Sequence, residues 1–327
     1  MSEPLWITEQ DVVAAISLPE AIQALEKGLA LEAQGVARNM AKTHQIWGGH
    51  HTLHAIGAVV EGAHTVGTKT WAHTAGGATP LVTLWNSETG KLEAIIEAFA
   101  LGQMRTGGIS GVATARMAAQ DANELGVIGT GKQALTQVVA VAAVRKLKRI
   151  RVYSPTPENR RAFIGKLEKL FPAITLSEST SVADAVKDAP IVTAVTRARE
   201  PIATARMLAK GAHFNAVGAI TPEREEFAQD VFGRVDLLAV DMIASVKALS
   251  AEFRKRFGDS DWSSVHLLSD LVAGKVKRPP NADLTLFKAM GMGLSDLALG
   301  IEILNRVRAS GGGRPIPHPK PAQPRLV

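Results

Sequence analysis

Apolar positions in the first third of the chain fall first at helical spacing and then in alternation. Over residues 8–35, Ile22, Leu25 and Leu29 make one stripe. Thr8 with Asp11 and Ser17 with Glu20 have capping-box spacing, Pro19 sits where a first turn tolerates it, and Gly35 ends the pattern, which predicts a helix. Residues 53–98 read as strands. Leu81–Trp85 and Leu92–Ile96 flank Asn86-Ser87-Glu88-Thr89-Gly90, which predicts a hairpin. Residues 99–119 are helical again but dense in small residues: Gly102, Gly107, Gly108, Ser110, Gly111, Ala113 and Ala115. Each glycine weakens a helix interior by up to about 1 kcal/mol relative to alanine. So many together predict close approach of another backbone or a ligand.

Past residue 120 the pattern becomes βα. Leu125–Ile128, Arg149–Tyr153, Ile191–Val195, Phe214–Val217 and Leu237–Val240 read as strands, with helices running to Val144 and over Pro157–Phe171. Such alternation predicts a parallel, doubly wound sheet. A helical pattern returns over Leu286–Ala309, and the Gly/Pro-rich, basic stretch Gly311–Val327 reads as a loose tail or extended arm. No internal repeat is present.

Composition narrows the chemistry. With 46% hydrophobic and 21% charged residues in 327, the chain is globular and long enough for two domains. The absence of cysteine excludes disulfides, thiolate metal sites and a cysteine nucleophile. A net charge of +6 is spread along the chain. That reads as solubility rather than nucleic-acid binding, and it leaves room for an anionic substrate or a phosphorylated cofactor. Met1–Gln10 has neither a basic n-region nor an apolar h-region, and no apolar run reaches the ~18 residues a bilayer needs. A cytoplasmic protein without membrane or nucleic-acid partners is expected.

The sharpest local signal is Gly129-Thr130-Gly131-Lys132-Gln133-Ala134. It fits G-x-G-x-x-A, follows a strand and opens a helix, as the motif requires. Gly129 makes the tight turn, Gly131 admits phosphate, Ala134 lets helix pack on strand, and the helix N-terminus offers N–H groups to a pyrophosphate. A purely structural glycine turn is the competing reading, and the βαβ context weighs against it. An acid at the end of the second strand would favour NAD. The chain instead has Ser154 and Thr156 there, followed by Arg160 and Arg161. Hydroxyls with a guanidinium suit a 2′-phosphate, so NADP(H) is the expected cofactor and NAD(H) the second possibility. A solvated helix face also accounts for the two arginines.

Three basic residues ahead of this segment are candidates for chemistry: Arg38 after the first long helix, Lys69 at an apparent strand end, and Arg105 in the glycine-rich helix. Fixed cations suit a substrate carboxylate, and a partly desolvated lysine exchanges protons near neutral pH. From spacing alone, each reads more readily as a surface charge. Among nine histidines, His44, His50, His51 and His54 cluster without H-E-x-x-H spacing or a completing carboxylate, so loop or pocket-lining roles are favoured and no metal is expected. His54 and His73 are candidates for substrate contact. Trp47 and Trp71 read as packing residues. No G-x-S-x-G elbow occurs, which argues against a serine acyl-transfer enzyme.

Five ordered stretches carry a resemblance to the ornithine cyclodeaminase/mu-crystallin family: VGTKTW at 66–71, MRTGGISG at 104–111, GTGKQA at 129–134, FNAVGAITPEREEF at 214–227 and TLFKAMGMGLSDLALG at 285–300. The resemblance covers about Arg38 to Ala309. It implies a Rossmann domain over 121–299 and an α+β substrate-binding and dimerisation domain from 1–120 and 300–327. It also implies a homodimer and hydride chemistry at the α-carbon of an imino or amino acid. By motif, Lys69 matches the family's substrate lysine, Arg105 its arginine at carboxylate and cofactor, and Arg38, less closely, its second carboxylate arginine. One position departs: cyclodeaminases carry an acid where this chain has Ile220.

These readings converge on an NAD(P)H-dependent reductase of an α-imino acid. Arg38 and Arg105 would hold the carboxylate, and Lys69 would supply the proton to nitrogen. His54 and Met290 would line the substrate. Thr106 and residues 129–134 would hold phosphates, and Thr196, Val217, Gly218, Ala219 and Gly291 would border the cofactor. The rivals are an amino-acid dehydrogenase of the alanine dehydrogenase kind, a cyclodeaminase in which Glu223, Glu225 or Glu226 replaces the missing acid, and a crystallin-like NADPH-binding protein without turnover.

Overall fold

Alternation over residues 51–97 builds an antiparallel meander, because successive side chains face opposite sides of a strand. The computed structural model describes residues 3–49 and 51–327. His50 and the first two residues of the segment read for a leader lie outside the described residues. The chain divides into two units, Met1–Ser17 with Gln34–Gly102 and Gly293–Val327, and Leu18–Ala33 with Gln103–Met292.

The first unit holds β1 (Leu5–Ile7), β2 (Ala37–Asn39), β3 (Thr43–Trp47), β4 (His51–Val60), β5 (Thr65–Thr74), β6 (Gly77–Ala78), β7 (Leu81–Asn86) and β8 (Leu92–Glu97). Its sheet runs from the short strand Arg314–Pro315 through β1, β8, β7, β5 and β4 to β2, with β3 on β4 and β6 on β5. The hairpin β7–β8 forms as its turn residues dictate: Asn86 Oδ1 accepts the backbone N–H groups of Glu88 (3.1 Å) and Thr89 (2.9 Å). The tail is anchored at its start, where Arg314–Pro315 pairs with β1; most of it beyond is exposed.

The helix expected over 8–35 is two helices. α1 (Glu9–Ala15) starts on the capping box of Thr8 and Asp11 and stops at the extended Ile16; α2 (Leu18–Ala33) begins where Ser17 and Pro19 marked a second start. The division also differs from boundaries at 120 and 299. α2, and α3 (Phe99–Met117) beyond Gly102, group with the parallel sheet. The glycines of α3 are the reason. A Cβ on Gly107 would lie 2.7 Å from the Thr136 carbonyl, on Gly108 2.6 Å from Leu25 Cδ1, and on Gly111 2.9 Å from Ile22 Cδ1. The apolar stripe of α2 and the helix α4 (Ala134–Val144) therefore press on α3 as the small residues foretold.

The second unit is a Rossmann-type parallel sheet of β9 (Glu124–Ile128), β10 (Arg149–Tyr153), β11 (Thr175–Glu178), β12 (Ile191–Ala194), β13 (Ala212–Ala216), β14 (Val235–Val240), β15 (Val265–Leu267) and β16 (Leu284–Lys288), in the order β11-β10-β9-β12-β13-β16-β14-β15. Residues 286–288 thus belong to a strand, and the helix that was read there begins at Gly293. The order reverses between β9 and β12, so their C-terminal ends flank the crevice where open α/β sheets bind ligands. No helix among the described residues is long and apolar enough to cross a membrane.

His213 on β13 is fully buried, with its ring nitrogens 2.9 Å from Thr285 Oγ1 and 3.0 Å from Asn215 Oδ1. Burial, reinforced by the charges of Arg278 and Arg145, pushes its pKa down to about 3. An unfolded histidine titrates near ~6.5, so between these values the unfolded chain binds a proton that the native chain refuses. Stability should therefore fall as pH drops through this window, by up to about 1.4 kcal/mol per unit from this group. Urea midpoints from pH 7 to 4.5 test this: His213→Gln should show a shallower loss than the parent, and parallel curves would refute it.

Candidate active site

In the first unit the chemistry gathers on one sheet face. Lys69 lies in the middle of β5 rather than at a strand end, and only 4% of it is exposed. Its Nζ donates to Asp296 Oδ1 at 2.6 Å and lies 5.2 Å from the centre of the Trp71 ring. Asp296 stands in the first turn of the helix Gly293–Ser310, where the helix dipole favours a carboxylate. That helix can start so close because Gly293 meets Gly57: a Cβ at Gly293 would run into the Gly57 backbone. The Leu294 N–H donates to Asn39 Oδ1 (2.8 Å) and fixes the start. Asp296 lies in the stretch 285–300 that carries the family resemblance, yet it is not among the residues expected at the site. The available signal was a single charged residue, Asp296, within the largely apolar first turns of that helix, 293–301.

Cross-strand register puts His44 opposite His54 and His54 opposite Trp71. The rings stack, His54 on Trp71 at 4.7 Å and 17°, and His44 on His54 at 5.8 Å. Lys69 is opposite Ile56, two residues from His54, so all these residues share a face. Burial first, then the nearby charges of Lys42, His44 and His73, push His54 down to about 4, so it is neutral at pH 7. It contributes a stacked wall rather than a charge. Lys42, also missed from sequence, is therefore a cation near this wall.

Arg38 is not brought to Lys69. It pairs with Val59 in register, three residues from Ile56 and hence on the opposite face of the sheet. Its exposed guanidinium forms an ion pair with Glu61 and donates to the Gly35 carbonyl at 3.3 Å. The register thus separates Arg38 from the Lys69 face, on which a shared carboxylate site would depend.

In the second unit, Gly129 follows β9 with a φ of 111°, and a Cβ there would lie 2.6 Å from the Val195 carbonyl. Only glycine lets the ends of β9 and β12 sit together in this way. Gly131 has open space where a Cβ would be, and Gln133, capping α4, makes no side-chain cap bond. Thr130, Gly131 and Lys132 thus form an accessible cradle at a helix N-terminus, and Ala134 packs fully buried behind it. These features fit a dinucleotide pyrophosphate. Gln137 on α4 donates to the Thr106 carbonyl (2.9 Å) and ties α3 to this turn.

Arg105 lies against Gly291, its Nη1 3.0 Å from the place of a Gly291 Cβ. Behind them the buried Asp241 accepts the N–H groups of Met290 (2.9 Å) and Gly291 (2.6 Å), and burial pushes this acid up although those bonds and Arg105 pull it down. Met290, expected at the substrate, packs in the apolar core and is 2% exposed.

At the end of β10, Ser154 is buried, and Arg160 donates to its carbonyl (2.6 Å) while facing Glu178 at 3.4 Å. Thr156 caps the next helix without a side-chain bond. Glu178 stands on β11 beside Val152, a carboxylate near the strand end that the sequence reading lacked because β11 went unrecognised. Thr196, Val217, Gly218 and Ala219 follow β12 and β13, as expected. Ile220 packs against the core of this unit. Of its candidate substitutes, Glu223 is bound by Thr221, Glu225 pairs with Lys255, and Glu226 is fully buried and turned to backbone N–H groups. Burial pushes Glu226 up, against the opposing pull of Lys288 and these donors. Among the described residues no cluster of His, Asp or Glu is placed to hold a metal ion.

Comparison with known proteins adds kinship. Delta(1)-pyrroline-2-carboxylate reductase of Bacillus cereus is 29% identical over 242 residues, 72% of this chain and 73% of that one. Ketimine reductase mu-crystallin of Mus musculus is 27% identical over 66% of each chain. The solved Delta(1)-pyrroline-2-carboxylate reductase of Thermococcus litoralis, in complex with NADH and L-proline, superposes with a TM-score of 0.89 at 26% identity, covering 95% of this chain and 100% of that one. The family model described as the ornithine cyclodeaminase/mu-crystallin family matches residues 2–311, and the chain belongs to that family.

Proposed function

We propose that the chain is an NAD(P)H-dependent oxidoreductase acting on C–N bonds, and specifically a reductase of cyclic α-imino acids (ketimine carboxylates). The observation that carries this reading is the buried Lys69–Asp296 pair, a desolvated ammonium held in one orientation by a carboxylate. A lysine so held donates a proton to an imine nitrogen while hydride reaches the adjacent carbon. A nicotinamide dinucleotide, when bound, supplies that hydride. Residues 129–134 would hold its pyrophosphate, and Thr106, Thr196, Val217, Gly218, Ala219 and Gly291 would border it. Arg105 would hold the substrate carboxylate, since a guanidinium grips it bidentately and restricts its approach. The flat wall of His54 on Trp71 suits the apolar edge of a ring. Both the Bacillus and the mouse relatives carry names of ketimine-type reductases. Ile220, with Glu225 paired to Lys255 and Glu226 buried, speaks against cyclising deamination.

The reading includes a preference for NADPH, supported by Ser154, Thr156 and Arg160 at the end of β10; a 2′-phosphate there would have to draw Arg160 from Glu178. It also includes a homodimer, supported by the exposed Ile46, Trp47 and Leu53 of the β3–β4 hairpin.

Oxidation of NADPH, with NADH in parallel, is to be followed across cyclic ketimine carboxylates and across pyruvate, glyoxylate and oxaloacetate mixed with ammonia or methylamine. Saturable turnover, best with a cyclic ketimine and NADPH, is expected. Ammonia release from ornithine with no ketimine turnover would restore the cyclodeaminase reading. Silence with tight NADPH binding would favour a crystallin-like binding protein.

A further inference from the structure

We propose that Glu226 is a positioning residue for the dinucleotide: its buried carboxylate ties the end of β12 to the end of β13 and fixes the backbone on which the cofactor rests. The proposal builds on the reading above that the parallel sheet holds a nicotinamide dinucleotide.

The two carboxylate oxygens divide their work. Oε1 accepts the Thr196 N–H (2.7 Å) and the Thr196 hydroxyl (2.9 Å); Oε2 accepts the N–H groups of Gly218 (2.7 Å) and Ala219 (3.2 Å). These donors belong to two neighbouring strand ends, next to the point where strand order reverses. The ends are pressed together: a Cβ on Gly218 would run into the Thr196 backbone and come 2.5 Å from Glu226 Oε1. Only an acceptor without hydrogens satisfies four converging donors, so an amide of equal size would turn an N–H against one of them.

The support behind Glu226 is also buried. Its own N–H donates to Glu252 Oε1 (3.1 Å), which pairs with Lys288 (3.2 Å), while the Ser250 hydroxyl donates to Glu252 Oε2 (2.7 Å). Glu226, Glu252 and Lys288 are each 0% exposed. Such a group reaches no substrate; it acts through the loops it holds. Asp241 repeats the device along the same sheet edge, where it gathers the N–H groups of Met290 and Gly291 after β16. The edge that would carry the nicotinamide half of the cofactor is therefore shaped by inward-turned carboxylates.

The test is Glu226→Gln in the full-length protein. NADPH and NADH dissociation constants are measured by nicotinamide fluorescence, with the imine KM at saturating dinucleotide. Amide hydrogen exchange of peptides spanning 196–198 and 217–220 is measured in the cofactor-free parent. Loss of one buried partner should raise both dissociation constants by about tenfold or more, with the imine KM unchanged. The parent's amides at 196, 218 and 219 should be protected before any cofactor is added. A folded variant that binds NADPH as tightly as the parent refutes the positioning role alone. A parent that binds neither dinucleotide refutes the cofactor reading and this proposal with it. If the variant does not fold, the exchange data decide: rapid exchange at those amides would refute the clamp, and protection would support it.

Discussion

Lys69→Ala should reduce imine turnover by roughly 10²–10⁴-fold, the usual contribution of a positioned general acid, while the NADPH dissociation constant stays within about twofold. The split follows from where the groups lie. Lys69 and its partner Asp296 belong to the unit built on the antiparallel sheet, whereas the glycine cradle 129–134 belongs to the parallel one. Removing the ammonium thus takes away the proton donor we propose and leaves the glycine turn 129–134 intact. Steady-state kinetics with the best ketimine of the panel, alongside fluorescence titration of NADPH, give the answer. Turnover unchanged in the variant would remove Lys69 from the mechanism. Loss of NADPH binding in step with turnover would mean that its role is structural.

The second large effect concerns stability. Asp296→Ala would leave the Lys69 ammonium, 5% exposed at its side chain, buried without that carboxylate. Breaking one half of a buried ion pair costs about 3–5 kcal/mol, because the surviving charge is uncompensated. Replacing both charges with apolar groups of similar volume, Lys69→Met with Asp296→Leu, should recover most of that loss, as apolar isosteres of buried pairs often do. Urea unfolding of Lys69→Met, Asp296→Leu and the double variant forms a closed cycle. Strictly additive costs would show that the two groups do not depend on each other. Recovery in a double variant that is folded but inactive would separate the pair's catalytic use from its burden on the fold.

How much of this could be read before folding differs from element to element. Signals that depend on a few consecutive residues came through. The turn Asn86–Gly90 closes the hairpin, Gly129 to Ala134 opens α4 after β9, and the glycines of α3 mark the face on which α2 and α4 press. Each is a local steric or hydrogen-bonding demand that a short segment states by itself. Strand β16 was misread as helix because Leu284–Lys288 is buried on both faces, and a short apolar run shows no period that separates strand from helix. Strand β11, half exposed and polar, gave no pattern at all, and Glu178 beside Val152 of β10 was missed with it.

The site divides in the same way. Its residue types were legible from motifs, whereas the direction each side chain takes was not. A three-residue offset in register sends Arg38 to the far face from Lys69, and no reading of residues 38 and 69 alone contains that parity. Asp296 reaches Lys69 across 227 residues of chain because two glycines allow a helix start to touch a strand. Glu226 looked like a substitute acid while its environment was unknown, and only the meeting of two strand ends turns it into an internal acceptor. The sequence by itself determined the elements that turns, caps and glycine contacts mark, and the class of chemistry, because those signals are local. Tertiary structure alone decided which charges are buried, paired and facing one another, because those depend on register and on contacts between segments distant in the chain.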